Sequence, residues 1–415
     1  MRLLNIDIFQ KILFFLCVGV TYLNNYELTF IVWFMTFLIT IKKKYSLKIF
    51  YYVSIFSAIL IISFFSSFFY NPATFSIIKD ITYLTKPILG LLIGYQIFKL
   101  NNNSKINYFI YVGLFIAITH IAIIFIAFLQ VKSLNLNLLR SWGGYFSDYE
   151  IYVLIILIFH KELYVTLSKK NMIYIFLIVF ISSLLYASRT NLIQFVILFL
   201  AMKGYFKITR KSLTVLFSTF TLMTLSYFLI VSYNPIRGGK GLDAFLYKIK
   251  IAPEEAFKTK INKEDWKDFN DNYRSFENII TVKQVSNEGL VAILVGKGLG
   301  SNVNLGRKVK TNDGTEVQFI PILHNGFITV FLKAGLLGVF CLVYFIYILA
   351  KQSKSESKII MNINYLLVGT SIFLIVSNWV FMGLYLKLDN KSIIIGFLIA
   401  LKELIANQSK EIIEK

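Results

Sequence analysis

Polar side chains of three types occur in this 415-residue sequence where an acid–base or anion-binding site would need them. His324 lies in PILHNGFITV, where a long polar stretch returns to an apolar run. A neutral imidazole there could accept a proton near pH 7, while a capping or interfacial role is the alternative. Asn325, the next residue, could orient the imidazole or a bound partner. We therefore treat His324 as a candidate general base and Asn325 as an accessory candidate.

The basic candidates are of a different kind. Arg189, in YASRTNLIQF, lies in a tight turn between two apolar runs, where a planar guanidinium either extends to the interface or binds a phosphate or diphosphate. Arg274, in NYRSFENIITV, begins an amphipathic segment, and Arg140, in LLRSWGGYF, is either an interface anchor or a sugar-stacking neighbour. Lys86, in TKPILGLL, is an intramembrane lysine and therefore an accessory candidate, and Pro87 should kink its helix.

The elements that must position these residues are hydrophobic. The chain is 57% hydrophobic and 16% charged, whereas soluble domains are about 45–50% apolar and about 25% charged. Continuous apolar runs indicate an all-α polytopic membrane protein with about twelve transmembrane helices, because the strands of a barrel would alternate instead. The predicted runs are 8–23, 27–41, 47–69, 81–98, 107–131, 148–165, 172–187, 190–202, 213–232, 325–350, 359–377 and 392–405.

Basic residues alternate between the connecting segments. If both termini are cytoplasmic, the cytoplasmic segments hold twenty lysines and arginines and the short outer segments hold six. This bias predicts the orientation by the positive-inside rule. The net charge of +21 is then mostly a topological signal, and nucleic-acid binding is not expected.

Three regions follow from this topology. Residues 1–232 hold the first nine predicted spans, residues 233–324 form one large outer loop, and residues 325–415 hold the last three spans. The charged loop sequence EEAFKTKINKEDWKDF predicts one short helix and YRSFENIITVKQV predicts a second. GKGLGS at 296–301 lacks the Walker spacing and predicts a turn.

Metal and cofactor chemistry is not expected from the sequence. Cys17 and Cys341 both lie in apolar runs, and three histidines are too few for a His-rich metal site. Asp148 and Glu150 are two residues apart, so they would not share one helix face. We predict no metal site and no cofactor.

The order of the short sequence motifs and the predicted membrane topology together resemble those of a known family. SRT opening a helix at 188–190, a large outer loop with an arginine, and HNGFITVFLKAGLLG at 324–338 resemble the O-antigen polymerase and O-antigen ligase superfamily of bacterial membrane glycosyltransferases. DITYLTKPILGLLIGYQIF at 80–98 is similar to that family's fourth helix. The resemblance implies metal-independent, inverting transfer of glycan from an undecaprenyl-diphosphate carrier. It implies that Arg189 and Arg274 hold the diphosphate and that His324 activates the acceptor hydroxyl.

Several functions stay open at this point. The first is a polymerase that extends O-antigen or other surface polysaccharide on the periplasmic face of the bacterial inner membrane. The second is the ligase that transfers finished glycan to lipid A-core, and a more distant alternative is a lipid-linked oligosaccharide flippase or other transporter. The implied partners are the carrier-linked oligosaccharide and the lipid bilayer, with a chain-length regulator and a flippase of the same pathway to be considered.

Overall fold

The protein, described by a computed structural model over residues 6–97, 105–132, 136–239, 241–310, 314–352 and 355–413, is mostly helical. The helices before the loop are α1 (Ile6–Val20), α2 (Tyr26–Ile39), α3 (Leu47–Ser67), α4 (Thr74–Leu84), α5 (Lys86–Ile97), α6 (Lys105–Val131), α7 (Leu136–Gly143), α8 (Asp148–Ile158), α9 (Lys169–Leu185), α10 (Arg189–Met202) and α11 (Arg210–Tyr233). The loop holds α12 (Leu242–Lys250), α13 (Ala252–Phe257), α14 (Trp266–Asp271), α15 (Tyr273–Asn287) and α16 (Leu290–Val295). The chain continues with α17 (Gly326–Ala350), α18 (Lys358–Val380) and α19 (Lys391–Ile413).

Five described helices are long and apolar enough to cross a membrane: α3, α6, α11, α17 and α18. Each has 21–27 residues, and about 20 residues at 1.5 Å per residue span the hydrocarbon core. Every other apolar run predicted from the sequence also contains a helix, but those helices do not meet the same combination of length and hydropathy. The protein is therefore mostly helical, and by length and composition five of its described helices are candidate membrane spans.

The predicted run 81–98 is two helices rather than one. α4 ends at Leu84 and α5 begins at Lys86, immediately before Pro87. Proline has no N–H to donate, and its ring clashes with the carbonyl four residues earlier, so it disturbs the helix on its N-terminal side. A disruption beside this proline is confirmed, but it is a one-residue interruption, because Thr85 keeps right-handed helical angles and its carbonyl accepts a hydrogen bond from the N–H of Leu89 at 3.0 Å.

The loop departs from its predicted form. YRSFENIITVKQV lies within α15 as predicted, but the single helix predicted over 254–269 is wrong. The chain leaves the helical conformation after α13 and resumes it at α14, where the Asp265 carboxylate accepts hydrogen bonds from the N–H groups of Lys267 and Asp268. Alternating charges fit a helix, but Asp265 instead caps the start of a new one.

The all-α prediction is also wrong in one place. Strand β1 (Val303–Lys310) pairs antiparallel with β2 (Glu316–Ile320) in a two-stranded sheet. Val303 and Leu305 are buried on one side of β1. Two apolar residues spaced by two positions are too weak a pattern to predict a strand, and the packing of this hairpin against α15 supplies the rest.

α17 is interrupted near its start. Gly335 has φ 63° and ψ −160°, which are non-helical values that only glycine adopts readily. The carbonyls of Leu332 and Lys333, freed by the break, accept hydrogen bonds from the N–H groups of Lys297 and Gly298 at 2.7 and 3.1 Å. The GKGLGS segment is therefore a turn, as predicted, and it completes the hydrogen bonding of a broken membrane helix.

A buried ion pair joins α17 to α4. The Lys333 ammonium is fully buried and pairs with Asp80, whose other contacts include the N–H of Gly300 at 2.6 Å. We expect Lys333→Met to lower the free energy of unfolding by about 3–5 kcal/mol, because the Asp80 carboxylate would stay buried without its cation. Adding Asp80→Asn should recover most of that loss, since an amide can accept the Gly300 N–H bond without a charge. Thermal unfolding of the purified protein measures the stability of both variants. Equal losses of stability in Lys333→Met and in the double variant would contradict this account.

Helix ends contact each other in two separate sets. In one set, Tyr22 after α1 hydrogen-bonds Ser147 before α8 at 2.7 Å, and Asn390 before α19 donates to Thr21 at 2.9 Å. In the other set, the contacts are Ser46 with Glu403 at 2.5 Å, Asn362 with the carbonyl of Glu162 at 2.8 Å, and Lys402 with Gln352 at 2.8 Å. α8 and α19 therefore both run from the first set of contacts to the second.

Candidate functional site

Arg189 lies at the first position of α10. Ser188 caps that helix by accepting a hydrogen bond from the N–H of Asn191, which fixes the tight turn after α9. The Arg189 guanidinium extends into the loop rather than to the interface: it donates to the carbonyl of Lys248 and pairs with the Glu255 carboxylate at 3.2 Å. The turn thus directs a cation toward loop residues that are about 60 positions away in sequence.

Arg274 reaches the same carboxylate from another element. It lies near the start of α15, and its Nη1 is 3.2 Å from Glu255 Oε1, while Arg189 Nη2 is 3.2 Å from Glu255 Oε2. The Arg274 guanidinium also lies 4.9 Å from the ring centroid of Phe381, just after α18. The two arginines singled out in the sequence are therefore brought together, and one carboxylate bridges them.

More cations surround this pair. Arg140 of α7 and Lys248 of α12 lie close enough to interact electrostatically with Arg189. Burial lowers the pKa of Lys248, and the positive charges of Arg140 and Arg189 lower it further. We call Arg140, Arg189, Lys248 and Arg274 the cation cluster. Arg189 and Arg274 pair with the Glu255 carboxylate, and its charge also acts on Lys248, so one carboxylate stands among four basic side chains and the cluster favours an anion by charge.

The cation cluster has room for further hydrogen bonding. Arg140 Nη2 donates to the carbonyl of Tyr145 at 3.4 Å, but the buried Nε of Arg140 has no partner among the described residues. Burial is also the largest cause of the lowered pKa of Arg274, ahead of the charge of Arg189. Guanidiniums stay protonated in proteins, so this cost of burial favours any anion that enters.

The lowered pKa of Lys248 makes anion binding depend on pH. As pH rises, Lys248 loses its proton before an ordinary lysine would, so the cluster loses one positive charge on the alkaline side. We expect pyrophosphate affinity to fall over that range in the native protein, and to fall less in Lys248→Arg, which stays protonated. Calorimetric titration from neutral to alkaline pH measures this. If the affinity depends on pH in the same way in both proteins, Lys248 does not contribute to binding. The titration of pyrophosphate itself affects both proteins equally, so it does not alter the comparison.

His324 forms a pair with a buried carboxylate. Both its backbone N–H and its ring Nδ1 lie within hydrogen-bond distance of Glu277 Oε2, at 3.1 and 2.9 Å. A carboxylate can only accept, so Nδ1 carries the proton and Nε2 is the basic nitrogen. The Glu277 side chain is 2% exposed and the His324 side chain is 50% exposed. A fixed imidazole with a basic, accessible Nε2 can act as a general base.

The histidine pair and the cation cluster are parts of one site. Glu277 lies three residues after Arg274 on α15, and its charge acts on Arg274 as well as on His324. Burial and the Glu277 charge also raise the pKa of Tyr273, whose ring meets the imidazole edge to face at 6.0 Å. α15 therefore carries both the arginine that pairs with Glu255 and the carboxylate that orients the histidine, so this helix connects the three predicted site residues.

The accessory candidates occupy different places. Asn325 caps α17 by accepting from the N–H of Ile328 at 3.2 Å, and its buried Nδ2 has no partner among the described residues. Lys86 is buried, and its ammonium donates to the backbone carbonyls of Leu386 and Asp389. Lys86 thus holds the turn between α18 and α19, whereas Arg140 belongs to the cation cluster.

Sequence reasoning missed the two carboxylates of this site. Glu277 had a signal, because a spacing of three residues places it beside Arg274 on one helix face. Glu255 had none, since it is one of several acidic residues in a charged segment. Its role depends on α13 being placed between α10 and α15.

Comparison with protein-family models, curated proteins and solved structures finds no match to this chain. Within the described ranges, no group of three or more His, Cys, Asp or Glu side chains is arranged to hold a metal ion. The functional argument therefore depends on the geometry of the site and on the sequence motifs that carry it.

Proposed function

We propose that this protein is a membrane glycosyltransferase that polymerises lipid-diphosphate-linked glycan repeat units of a bacterial surface polysaccharide. The observation that carries this proposal is the position of the His324–Glu277 pair beside two arginines that share one carboxylate. A cation cluster suits a diphosphate leaving group, and a basic imidazole suits an acceptor hydroxyl. The resemblance of the SRT and HNGFITVFLKAGLLG motifs to the O-antigen polymerase and ligase superfamily supports the same substrate class.

The proposed topology is about twelve spans in the inner membrane, with both termini cytoplasmic and the large loop periplasmic. The contacts of Arg189 with Lys248 and of His324 with Glu277 support it, because both residues lie against the loop that the positive-inside rule assigns to the outside. Several of these helices have fewer than 18 residues, so they would cross as short or paired elements. Cysteine accessibility labelling at loop and terminal positions tests this orientation.

The proposed reaction is a single displacement with inversion. The acceptor hydroxyl gives its proton to His324 Nε2 while its oxygen bonds to the anomeric carbon of the donor glycan. The bond from that carbon to the diphosphate oxygen breaks, and the electron pair leaves with the diphosphate. Arg189 and Arg274 neutralise the developing charge, and Glu277 stabilises the protonated imidazole.

Transport has less support than transfer. The transporter hypothesis depends on ionisable groups in the membrane helices, and Lys86 donates to two backbone carbonyls while Lys333 pairs with Asp80. Both lysines therefore have structural partners.

Purified protein in lipid vesicles provides the test of function. It should convert a synthetic undecaprenyl-diphosphate oligosaccharide into a ladder of longer carrier-linked glycans and release undecaprenyl diphosphate. A ladder supports the polymerase, whereas transfer only to added lipid A-core would identify the ligase. Loss of the gene should leave single repeats on lipid A-core in the first case and accumulated long carrier-linked glycan in the second. With neither product from any carrier-linked donor, the proposal would be rejected.

A further inference from the structure

Glu255 stands where a substrate anion would have to bind. Its two carboxylate oxygens each contact a different arginine at 3.2 Å, so the side chain bridges Arg189 and Arg274. A diphosphate offers the same arrangement of oxygens with more negative charge. An anion that binds the same two nitrogens, Arg189 Nη2 and Arg274 Nη1, must therefore replace the carboxylate.

The backbone of Glu255 is held while its side chain is not buried completely. Its carbonyl accepts a hydrogen bond from the Ser275 hydroxyl at 2.9 Å, and the next carbonyl, of Ala256, accepts from the Trp379 indole at 3.3 Å. The Glu255 side chain is 18% exposed. α13 is thus anchored, and rotation of one side chain suffices to open the site.

We propose that Glu255 is an exchangeable internal anion, which neutralises Arg189 and Arg274 in the empty site and leaves when a diphosphate binds. The inference rests on the proposed function for the identity of that diphosphate. Without a counter-charge, two partly buried guanidiniums would repel each other and separate. Glu255 keeps them together in the geometry that a diphosphate needs.

An internal competitor also helps the product to leave. Transfer of the glycan removes a sugar from the diphosphate, so the carrier product has one more ionisable oxygen than the donor and binds cations more tightly. Return of the Glu255 carboxylate to the arginines offsets this gain. A side chain that occupies the site about 90% of the time lowers the apparent affinity of any displacing anion about tenfold.

Binding of pyrophosphate to the purified full-length protein, without divalent cations, tests the inference. We expect Glu255→Gln to bind pyrophosphate about tenfold more tightly than the native protein, since the amide no longer competes. The matched control is Glu254→Gln, the adjacent carboxylate, which is 68% exposed and pairs with Lys258 at 3.6 Å. It makes the same change in net charge and should leave the affinity within about twofold.

A second variant guards against misfolding. Glu255→Asp keeps the charge but is one methylene shorter, so it should compete less well and also tighten pyrophosphate binding. Unchanged or weaker binding in folded Glu255→Gln would overturn the inference, because the carboxylate would then be a fixed support of the arginines. If that variant does not fold, the same criterion applies to Glu255→Asp.

Turnover separates this inference from the proposed function. With a carrier-linked glycan donor, Glu255→Gln should lower KM and also lower kcat, because product release slows while the first turnover is retained. An unchanged kcat with a lowered KM would overturn the product-release role. Tighter pyrophosphate binding in a protein that transfers no glycan would reject the proposed function and leave the internal anion standing.

Discussion

Replacing His324 with alanine is expected to lower the rate of glycan transfer by about 10²–10⁴-fold, the usual contribution of a general base. The expectation follows from the position of Nε2, which is left basic because Nδ1 faces the Glu277 carboxylate at 2.9 Å. The measurement is the transfer rate with a synthetic carrier-linked donor at equal protein levels. A normal glycan ladder in the variant would remove His324 from the mechanism.

Replacing the Glu277 carboxylate tests the role of His324 more specifically than removing the imidazole does. Glu277→Gln removes the charge that would stabilise the protonated imidazole, so we expect a smaller loss of kcat, about tenfold or more, with little change in KM. The matched control is His160→Ala, because the His160 ring hydrogen-bonds the carbonyl of Leu157 at 3.0 Å, just after α8 and outside the candidate site. Equal losses in the His160 and His324 variants would point to a general effect on folding.

Removing either bridging arginine should have the second large effect. We expect Arg274→Ala and Arg189→Ala each to lower transfer by about 10²–10³-fold, the cost of losing one preorganised donor to a developing anion. Arg189→Lys should also be impaired, because one ammonium cannot reproduce the contacts of Arg189 with Glu255 and with the carbonyl of Lys248. The transfer rate and pyrophosphate affinity should fall together.

A different loop arginine is the control for these substitutions. Arg237 pairs with Asp271 at 3.0 Å and lies over the ring of Trp266, so it makes similar contacts outside the cation cluster. Arg237→Lys should leave pyrophosphate affinity unchanged even if it alters loop stability. Should Arg237→Lys and Arg189→Lys weaken binding equally, the anion site would not be confined to the cation cluster.

The position of helix α15 determines where several side chains of this site lie. α15 is 15 residues long and carries Tyr273, Arg274 and Glu277 within its first five positions. Because residues three or four apart share a helix face, one rotation of this helix would move the diphosphate contact and the histidine support together. Binding of the donor and activation of the acceptor are therefore coupled through a rigid element.

Local sequence determined the helical class, the membrane setting and the residue types of the site. Apolar runs, the proline at the start of α5 and the basic connecting segments all act over a few residues, so they can be read directly. Arg189 and His324 were found for the same reason, since each interrupts an apolar pattern. Arg274 was found by its place in a recognisable amphipathic segment.

Tertiary structure alone decided which groups meet. Glu255 reaches Arg189 across 66 positions, and Glu277 reaches His324 across 47, so no periodic pattern connects them. The same holds for two elements of the loop. The Asp265 cap outweighs the helical charge pattern between α13 and α14, and cross-strand pairing forms the hairpin after α16. Local propensity specified the elements, whereas burial of charges between distant elements specified the site.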